Sequence, residues 1–493
     1  MAQYAYVVAR NTRAGIQLEI DKAHAEGGGL VFLPRGHYRL DGPLRLLSNV
    51  HLTGVGQRTV LEIDPALGPS AVDVNAIELV GGDEDAPHDI EVSKLVIRGP
   101  GTSPNIEADV SSEFKLGCGI VATQTTVRDV VVRGCRIENV SGCGLLFFTQ
   151  QPDQLMAGIT VRDCYFLQNR RPPETRNVGL YKDVLFYGSH FETIRIEGNV
   201  CVFEPNASSP YGNDSGITFV GNGRGGYVRH SRLVGNRCTG HRRHGLITNY
   251  GKMAADGVFV SDNRCENNGW VGVYVNTDYT YTKEGRVVVS GNYCCHNGFG
   301  DIGSADATIR GGIVLNGAYH GVVSGNICMN NGEPGPAFVA QDVPVGAAAV
   351  HASGINVRGA EHIVDGNLVK GNKNHGIALW PGQVSRVSMT NNRAVQNGRH
   401  GLLVAGAHGE DAQQVIVTGN VCVGNGENGL RSFLTDGALV ASNYIDENVK
   451  ADIELDRNTK RIQLEGSFVE EIVGQPVEEK TVEAVKPRRL KRW

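Results

Sequence analysis

The chain has 493 residues, a formal net charge of −5, 41% hydrophobic residues and 65 glycines. Such a charge balance offers neither a basic face for nucleic acid nor a polybasic anchor for a membrane, and no apolar run nears the roughly 20 residues that cross a bilayer. Glycine is about twice its usual share but follows no Gly-X-Y period, which excludes collagen, so the length fits several ordinary domains or one array of repeats.

The N-terminal stretch "MAQYAYVVARNTRAG" lacks a charged region followed by a long apolar one, so no signal peptide is expected. The compartment stays open: a chain rich in reduced thiols suits the cytoplasm, and secretion would require a leader removed upstream. Residues 12–25 then read as a helix, with Ile16, Ile20 and Ala23 on one face. Gly27 to Gly29 stop it, and "LVFLPRGHYRL" begins a run of strands.

Further on the chain repeats itself. "SDNRCENNG" (261–269), "SGNYCCHNG" (290–298), "SGNICMNNG" (324–332), "TNNRAVQNG" (390–398) and "TGNVCVGNG" (418–426) share one frame. Aligned on the first Asn, a column runs Asn199, Asn236, Asn263, Asn292, Asn326, Asn367, Asn392, Asn420, Asn443. Five residues later a second column runs Asn268, Asn297, Asn331, Asn372, Asn397, Asn425, Asn448. Two residues after the first Asn stand Cys201, Cys238, Cys265, Cys294, Cys328 and Cys422; nine after it, in the shortest repeats, stand Gly245, Gly272, Gly376, Gly401 and Gly429. The shortest repeats are 23 and 25 residues long, with short alternating strands and no helical period. That pattern predicts a solenoid of parallel strands, all-β, in which each coil lies about 4.8 Å above the last and like residues stack on like. The Asn columns are then turn ladders. The Cys column is an inward filler of free thiols; no paired CxxC spacing suggests a metal site, and eleven cysteines do not pair evenly.

The helix–strand entry of residues 12–63 and the Asn/Gly/Cys repeats together resemble right-handed parallel β-helix proteins of the pectate-lyase-like superfamily, over about residues 10 to 465. The resemblance implies a single-stranded right-handed parallel β-helix with an N-terminal capping helix: a cap over 1–29, the β-helix over 30–465, and a charged tail over 466–493. It also implies action on polysaccharides, as lyase, hydrolase or epimerase, or glycan binding as in tailspikes and adhesins. Catalytic motifs do not carry over. The Asn-Thr-Asp, Asp-Asp, Gly-His-Gly and Arg-Ile-Lys set of polygalacturonases and the Asp-Pro-His motif of mannuronan epimerases are absent; "RHG" at 243–245 and 399–401 is a different motif.

The site must therefore be argued from where the repeat is interrupted. Between ladder Asn and strand Gly there are insertions of 8, 11 and 19 residues, in 202–215, 295–311 and 333–353, all at the same corner. The coils starting at Asn236 and Asn263 have none. Long loops flanking bare coils make a cleft, and "NRRPPETRN" (169–177) extends its first wall. With the residue after the Gly pointing inward, even offsets point outward. The floor then carries Asp214, Arg243, Trp270 and Arg310 two before the Gly, and Thr218, Ile247, Tyr274 and Val314 two after it. Four after it come Asn249, Asn276 and Asn316, with Arg358 and Trp380 beyond; a second corner adds Asp278. Aromatic rings among amides and guanidinium groups suit sugars. By the same parity His244, like His375 and His400, falls on an inward offset and reads as a core histidine.

Cations outnumber carboxylates on this floor, which favours a lyase or epimerase on an acidic glycan: Arg243 and Arg310 neutralise the carboxylate, while Tyr274 or His241 serves as base or acid. A hydrolase would need paired carboxylates, Asp214 with Asp278, Asp301 or Asp306. A non-catalytic glycan-binding protein would share the groove. The expected partner is a polysaccharide or oligosaccharide, with no nucleic acid and no membrane; self-association stays open. No cofactor and no metal site is expected, although a calcium ion is left open.

Overall fold

The computed structural model describes residues 5–67, 71, 74–81, 86–100, 117–123, 125–149, 151, 153–169, 182–204, 214–221, 226–250, 254–277, 285–300, 310–339, 345, 347–380, 384–406, 412–456, 459–474 and 482–483. The chain divides into two compact units, Met1–Met253 and Ala254–Trp493.

The first unit opens with the expected helix, α1 (Arg13–Ala25), which buries Ile16, Ile20 and Ala23. Thr12 caps it, its hydroxyl oxygen accepting from Gly15 N at 3.2 Å. Gly27 and Gly28 end it at φ 89° and 113°, a region a side chain rarely enters. The chain then winds in coils of three strands, each pairing in parallel with its counterpart one coil on. On the first face Val200–Val202 pairs with Arg237–Thr239; on the second, Lys182–Gly188 pairs with Ser215–Gly221 and that with His244–Tyr250; on the third, Thr160–Arg162 pairs with Arg195–Glu197. Phe147, Phe186 and Phe219 stack along the inside of the second face with centroids 5.0 and 4.8 Å apart. Phe191 of the third face meets them edge-on at 6.2 and 5.6 Å. Like residues stack because successive coils leave no other register.

The second unit repeats the plan and carries both ladders. Asn263, Asn292, Asn326, Asn367, Asn392, Asn420 and Asn443 form one, each Nδ2 donating to the next Oδ1 at 2.9–3.0 Å. The same amides reach back to the preceding coil, as Asn292 Nδ2 does to Val260 O at 2.9 Å. Asn268, Asn297, Asn331, Asn372, Asn397, Asn425 and Asn448 form the other. The residue before a ladder Asn is left-handed, as at Gly291, Gly325 and Gly366 (φ 65°, 61°, 63°), which accounts for the recurrent Gly-Asn pair. The eleven cysteines are all free and buried, and Cys265, Cys294 and Cys328 are register partners.

One feature of the second face departs from simple alternation. A Cβ at Gly312 would lie 2.9 Å from Cys328 Sγ, and one at Gly144 would lie 2.5 Å from Phe166 Cδ1. The Gly column therefore turns toward the interior, where at these coils a Cβ would clash, and the residue that follows it points inward as well. The residue before each Gly is consequently turned to the outer side. Cys118 and Cys143 at that position pack with Val121, Leu146, Phe148 and Leu185 of the outer surface. The inward place expected for His244, His375 and His400 is thus corrected: they lie along the outer side of the second face.

Candidate functional site

Lys182, Ser215 and His244 are register partners at this outward position in the first unit. Asp214 sits beside them and gathers the cations. Lys182 Nζ pairs with its Oδ2, and Arg243 Nε lies 3.1 Å from its Oδ1. Arg243 N also donates to Asp214 O at 2.8 Å, which fixes the two coils' corner loops together. Lys182, Asp214 and His244 are 3–4% exposed, whereas the Arg243 side chain is 23% exposed and carries the cluster's charge to solvent. Burial lowers the Lys182 pKa against the pull of Asp214. Burial, with Lys182 and Arg243, drives His244 down to about 3 although Asp214 opposes this, so His244 is neutral at any ordinary pH. Next to this cluster the hydroxyls of Ser215 and Thr218 are buried with no hydrogen-bond partner among the described residues.

His241, expected on the groove floor, lies inside the coil instead. It is 0% exposed, and its Nε2 is 2.9 Å from Asp183 Oδ2. Asp183 Oδ1 accepts from Asn169 Nδ2 at 3.1 Å. The reason is positional. His241 stands five residues after Asn236, where later coils place the second ladder Asn. Asp183 stands in the Gly column, opposite Gly216.

In the second unit Trp270 and Arg310 are together: the guanidinium lies 5.9 Å from the Trp270 ring centroid, and Arg310 Nη1 donates to Gly300 O at 2.7 Å. Arg310 is 2% exposed and Tyr274 4%; both were expected to line an open floor and are instead enclosed. Asn316 Nδ2 donates to Asn276 Oδ1 at 2.8 Å. Asn356, absent from the sequence reading, links two elements of the row: its Nδ2 donates to Arg310 O at 3.1 Å, and its Oδ1 accepts from Trp380 Nε1 at 2.7 Å. Trp380 stands edge-on to His375 at 5.7 Å, and His375 stacks on His400 at 5.0 Å. His400 Nε2 lies 3.2 Å from Glu427 Oε2. Arg358 is half-buried, four residues after its corner Gly. The recurrence of "RHG" at 243–245 and 399–401 is a signal for His244 and His400, while His375 stands in "NHG"; strict alternation hides their side.

Asp278, Asp301 and Asp306, the side chain of Asn249, and residues 205–213, 301–309, 340–344 and 346 of the three inserted walls lie outside the described residues. Among the described residues no group of three or more His, Cys, Asp or Glu could hold a metal ion, and no helix is long and apolar enough to cross a membrane.

Residues 345–478 match the family model of the right-handed β-helix region. Mannuronan C5-epimerase AlgE1 of Azotobacter vinelandii is 31% identical over 159 residues, 30% of this chain and 10% of that protein. Alginate lyase 7 of the same organism is 31% identical over 156 residues, 30% of this chain and 17% of that one. The chain thus spans less than a fifth of either relative. Among solved structures, the Streptococcus pneumoniae surface adhesin PfbA is 12% identical, with TM-score 0.46 over 92% of both chains. The AlgE4 A-module of A. vinelandii is 15% identical, with TM-score 0.34 over 96% of both.

Proposed function

We propose that this chain, a right-handed parallel β-helix protein similar to those of the pectate-lyase-like superfamily, acts on an acidic polysaccharide by taking the proton beside a uronate carboxylate. The observation that carries the proposal is the Lys182–Asp214–Arg243 cluster, two cations on one buried carboxylate, with the unmatched hydroxyls of Ser215 and Thr218 beside it. The sequence relatives that epimerise mannuronan or cleave alginate favour the same chemistry.

Both reactions begin with the same step. The C5–H bond breaks, its proton passes to a base, and the electron pair is delocalised into the carboxylate, whose growing charge a cation must meet. Arg243 is the group that meets it, because its guanidinium reaches solvent and binds a carboxylate with two parallel donors. Lys182 can serve as the base only after ceding its own proton to the paired Asp214; burial, which lowers its pKa, favours that neutral form. Asp214 holds both cations in place. Return of a proton to the opposite face gives the C5 epimer; expulsion of the 4-oxygen, which leaves with a proton, gives the unsaturated product. Hydrolysis finds less support, because both oxygens of Asp214 are engaged by cations.

Incubation in D2O with polymannuronate, polyguluronate and polygalacturonate, each followed by NMR and by ultraviolet absorbance, tests this. Deuterium at C5, for epimerisation, or an unsaturated product, for elimination, is expected, and the rate of either should fall by about 10²-fold or more in Lys182→Gln and Arg243→Gln. Turnover retained in both variants, or reducing ends released from a neutral glycan without exchange, would overturn it.

A further inference from the structure

On the outer side of the second face of the C-terminal unit, four polar atoms in two successive coils are enclosed without a hydrogen-bond partner among the described residues. They are Ser353 Oγ and Arg358 Nε in one coil, and Asn374 Oδ1 and His375 Nδ1 in the next. Ser353 is 0% exposed, and Asn374 and His375 are each 2%. The two coils are joined directly, Gly354 N donating to His375 O at 3.0 Å and Trp380 N to Val357 O at 3.0 Å. Folded proteins match nearly all such groups, because each unmatched one loses its hydration without compensation. Four together on one outer surface mark a place where something other than the chain supplies partners.

The kind of partner follows from the groups. One hydroxyl, one amide oxygen, one ring nitrogen and one guanidinium N–H mix donors and acceptors along two adjacent coils, as the hydroxyls of a sugar chain do. The Trp380 indole stands at the edge of the same place, held by its bond to Asn356 Oδ1 and by its edge contact with His375. An aromatic ring beside dispersed polar atoms is the usual wall for the apolar face of a pyranose. Arg358 adds a cation, and the charges nearest the stacked His375–His400 pair include Arg399 and Arg431 as well as Glu427. An extended peptide does not fit, because these strands have no free edge: Ser353–Ala360 and Ile377–Leu379 pair with each other, and each pairs on its other side as well.

We propose that the second-face surface formed by Ser353, Arg358, Asn374, His375 and Trp380 is a binding site for a short stretch of acidic glycan, carried by the C-terminal unit and serving to hold the chain rather than to react with it. Neutral His375 offers one ring nitrogen to a hydroxyl, Arg358 meets the carboxylate, and Trp380 lies against the ring. The proposal concerns binding and stands apart from the proton-transfer cluster of the first unit.

The test is a titration of the full chain with acidic oligosaccharides (mannuronate, guluronate and galacturonate hexamers) and a neutral glucan hexamer, read by tryptophan fluorescence and by calorimetry. Saturable binding of at least one acidic hexamer is expected, weakened on the order of tenfold in His375→Ala and in Arg358→Gln. Lys182→Gln, in the other unit, should leave that fluorescence change in place. Ser353→Ala removes an unmatched atom, so it should weaken binding without lowering the unliganded melting temperature; this keeps the test sound if another variant folds poorly. Absence of saturable binding by every acidic hexamer, or equal affinities in wild type and all three second-unit variants, would overturn the site. An inactive protein that still binds through these residues would refute the proposed reaction and leave this site standing. An active protein whose KM and affinity ignore them would do the reverse.

Discussion

Asp183 and His241 meet inside the first unit, Oδ2 to Nε2 at 2.9 Å, at the two positions where the repeat abandons Gly and Asn. One replacement explains the other. A carboxylate in the glycine column keeps Asn169 on one oxygen and needs the ladder residue beside it for the other.

The pair should therefore behave as a unit. His241→Ala or Asp183→Asn alone removes the charge-assisted bond between two buried groups and should cost about 3 kcal/mol or more in denaturant unfolding. The double replacement Asp183→Gly with His241→Asn restores the repeat's own residues and should recover much of that loss. A double variant as unstable as the sum of the singles would mean the two residues act independently.

Stability should decline in mild acid through the buried histidines. His244 is pushed down to about 3 and His362 to about 4, in both cases chiefly by burial. Their neutral forms are kept in the fold, while the unfolded chain takes up protons below about pH 6.5. The unfolded state thus binds more protons between roughly pH 6.5 and pH 3–4, and stability is lost as the pH falls through that window. Each should contribute on the order of 1–2 kcal/mol between pH 7 and pH 5. Melting temperatures measured against pH should show the slope, and His244→Gln should flatten it; a pH-independent melting temperature from 7 to 5 would contradict this.

The cysteines should be silent in the fold and reactive out of it. Cys201, Cys294 and Cys422 are wholly buried, and burial raises their thiols well above the ordinary range. Thiol titration of denatured, unreduced protein should find all eleven free. In native protein, labelling should be slow and should accelerate with denaturant; rapid labelling of native protein would show the coils opening independently.

The ladders should make a central asparagine more costly than a terminal one. Asn326 accepts from Asn292 and donates to Asn367 and to Val289 O, so Asn326→Ala strands groups in both neighbouring coils. A loss of about 2–4 kcal/mol is expected. Asn448→Ala, half-buried and with no further ladder Asn to donate to, should cost about half as much; comparable unfolding midpoints would show that the ladder is not continuous.

Much of the fold was legible because a solenoid writes its geometry into columns. The helix at Arg13–Ala25, the free cysteines and the one-coil spacing of Asn292 and Asn326 follow from periodicity alone. The site was less legible. Alternation was carried through the corner glycines, where the backbone turns two successive positions inward, and that placed His244, His375 and His400 on the wrong side. Tyr274 was assigned to an open surface, yet it is 4% exposed. Its replacement by Ala should then lower stability as well as anything it does to turnover. Lys182 and Asp183 carried no signal of their own, since they precede a coil whose ladder had not yet begun to repeat.

The first ladder also has an end. Asn443 N donates not to an amide but to Ser467 Oγ at 3.2 Å, and that hydroxyl lies 3.4 Å from Glu465 O. A hydroxyl has a single proton to give, so once it is directed to Glu465 nothing is left to hand onward to another coil. Ser467 is a chain terminator in the polymer chemist's sense. An asparagine in its place would leave a living end, able to accept one more coil from the same chain or from another copy of it.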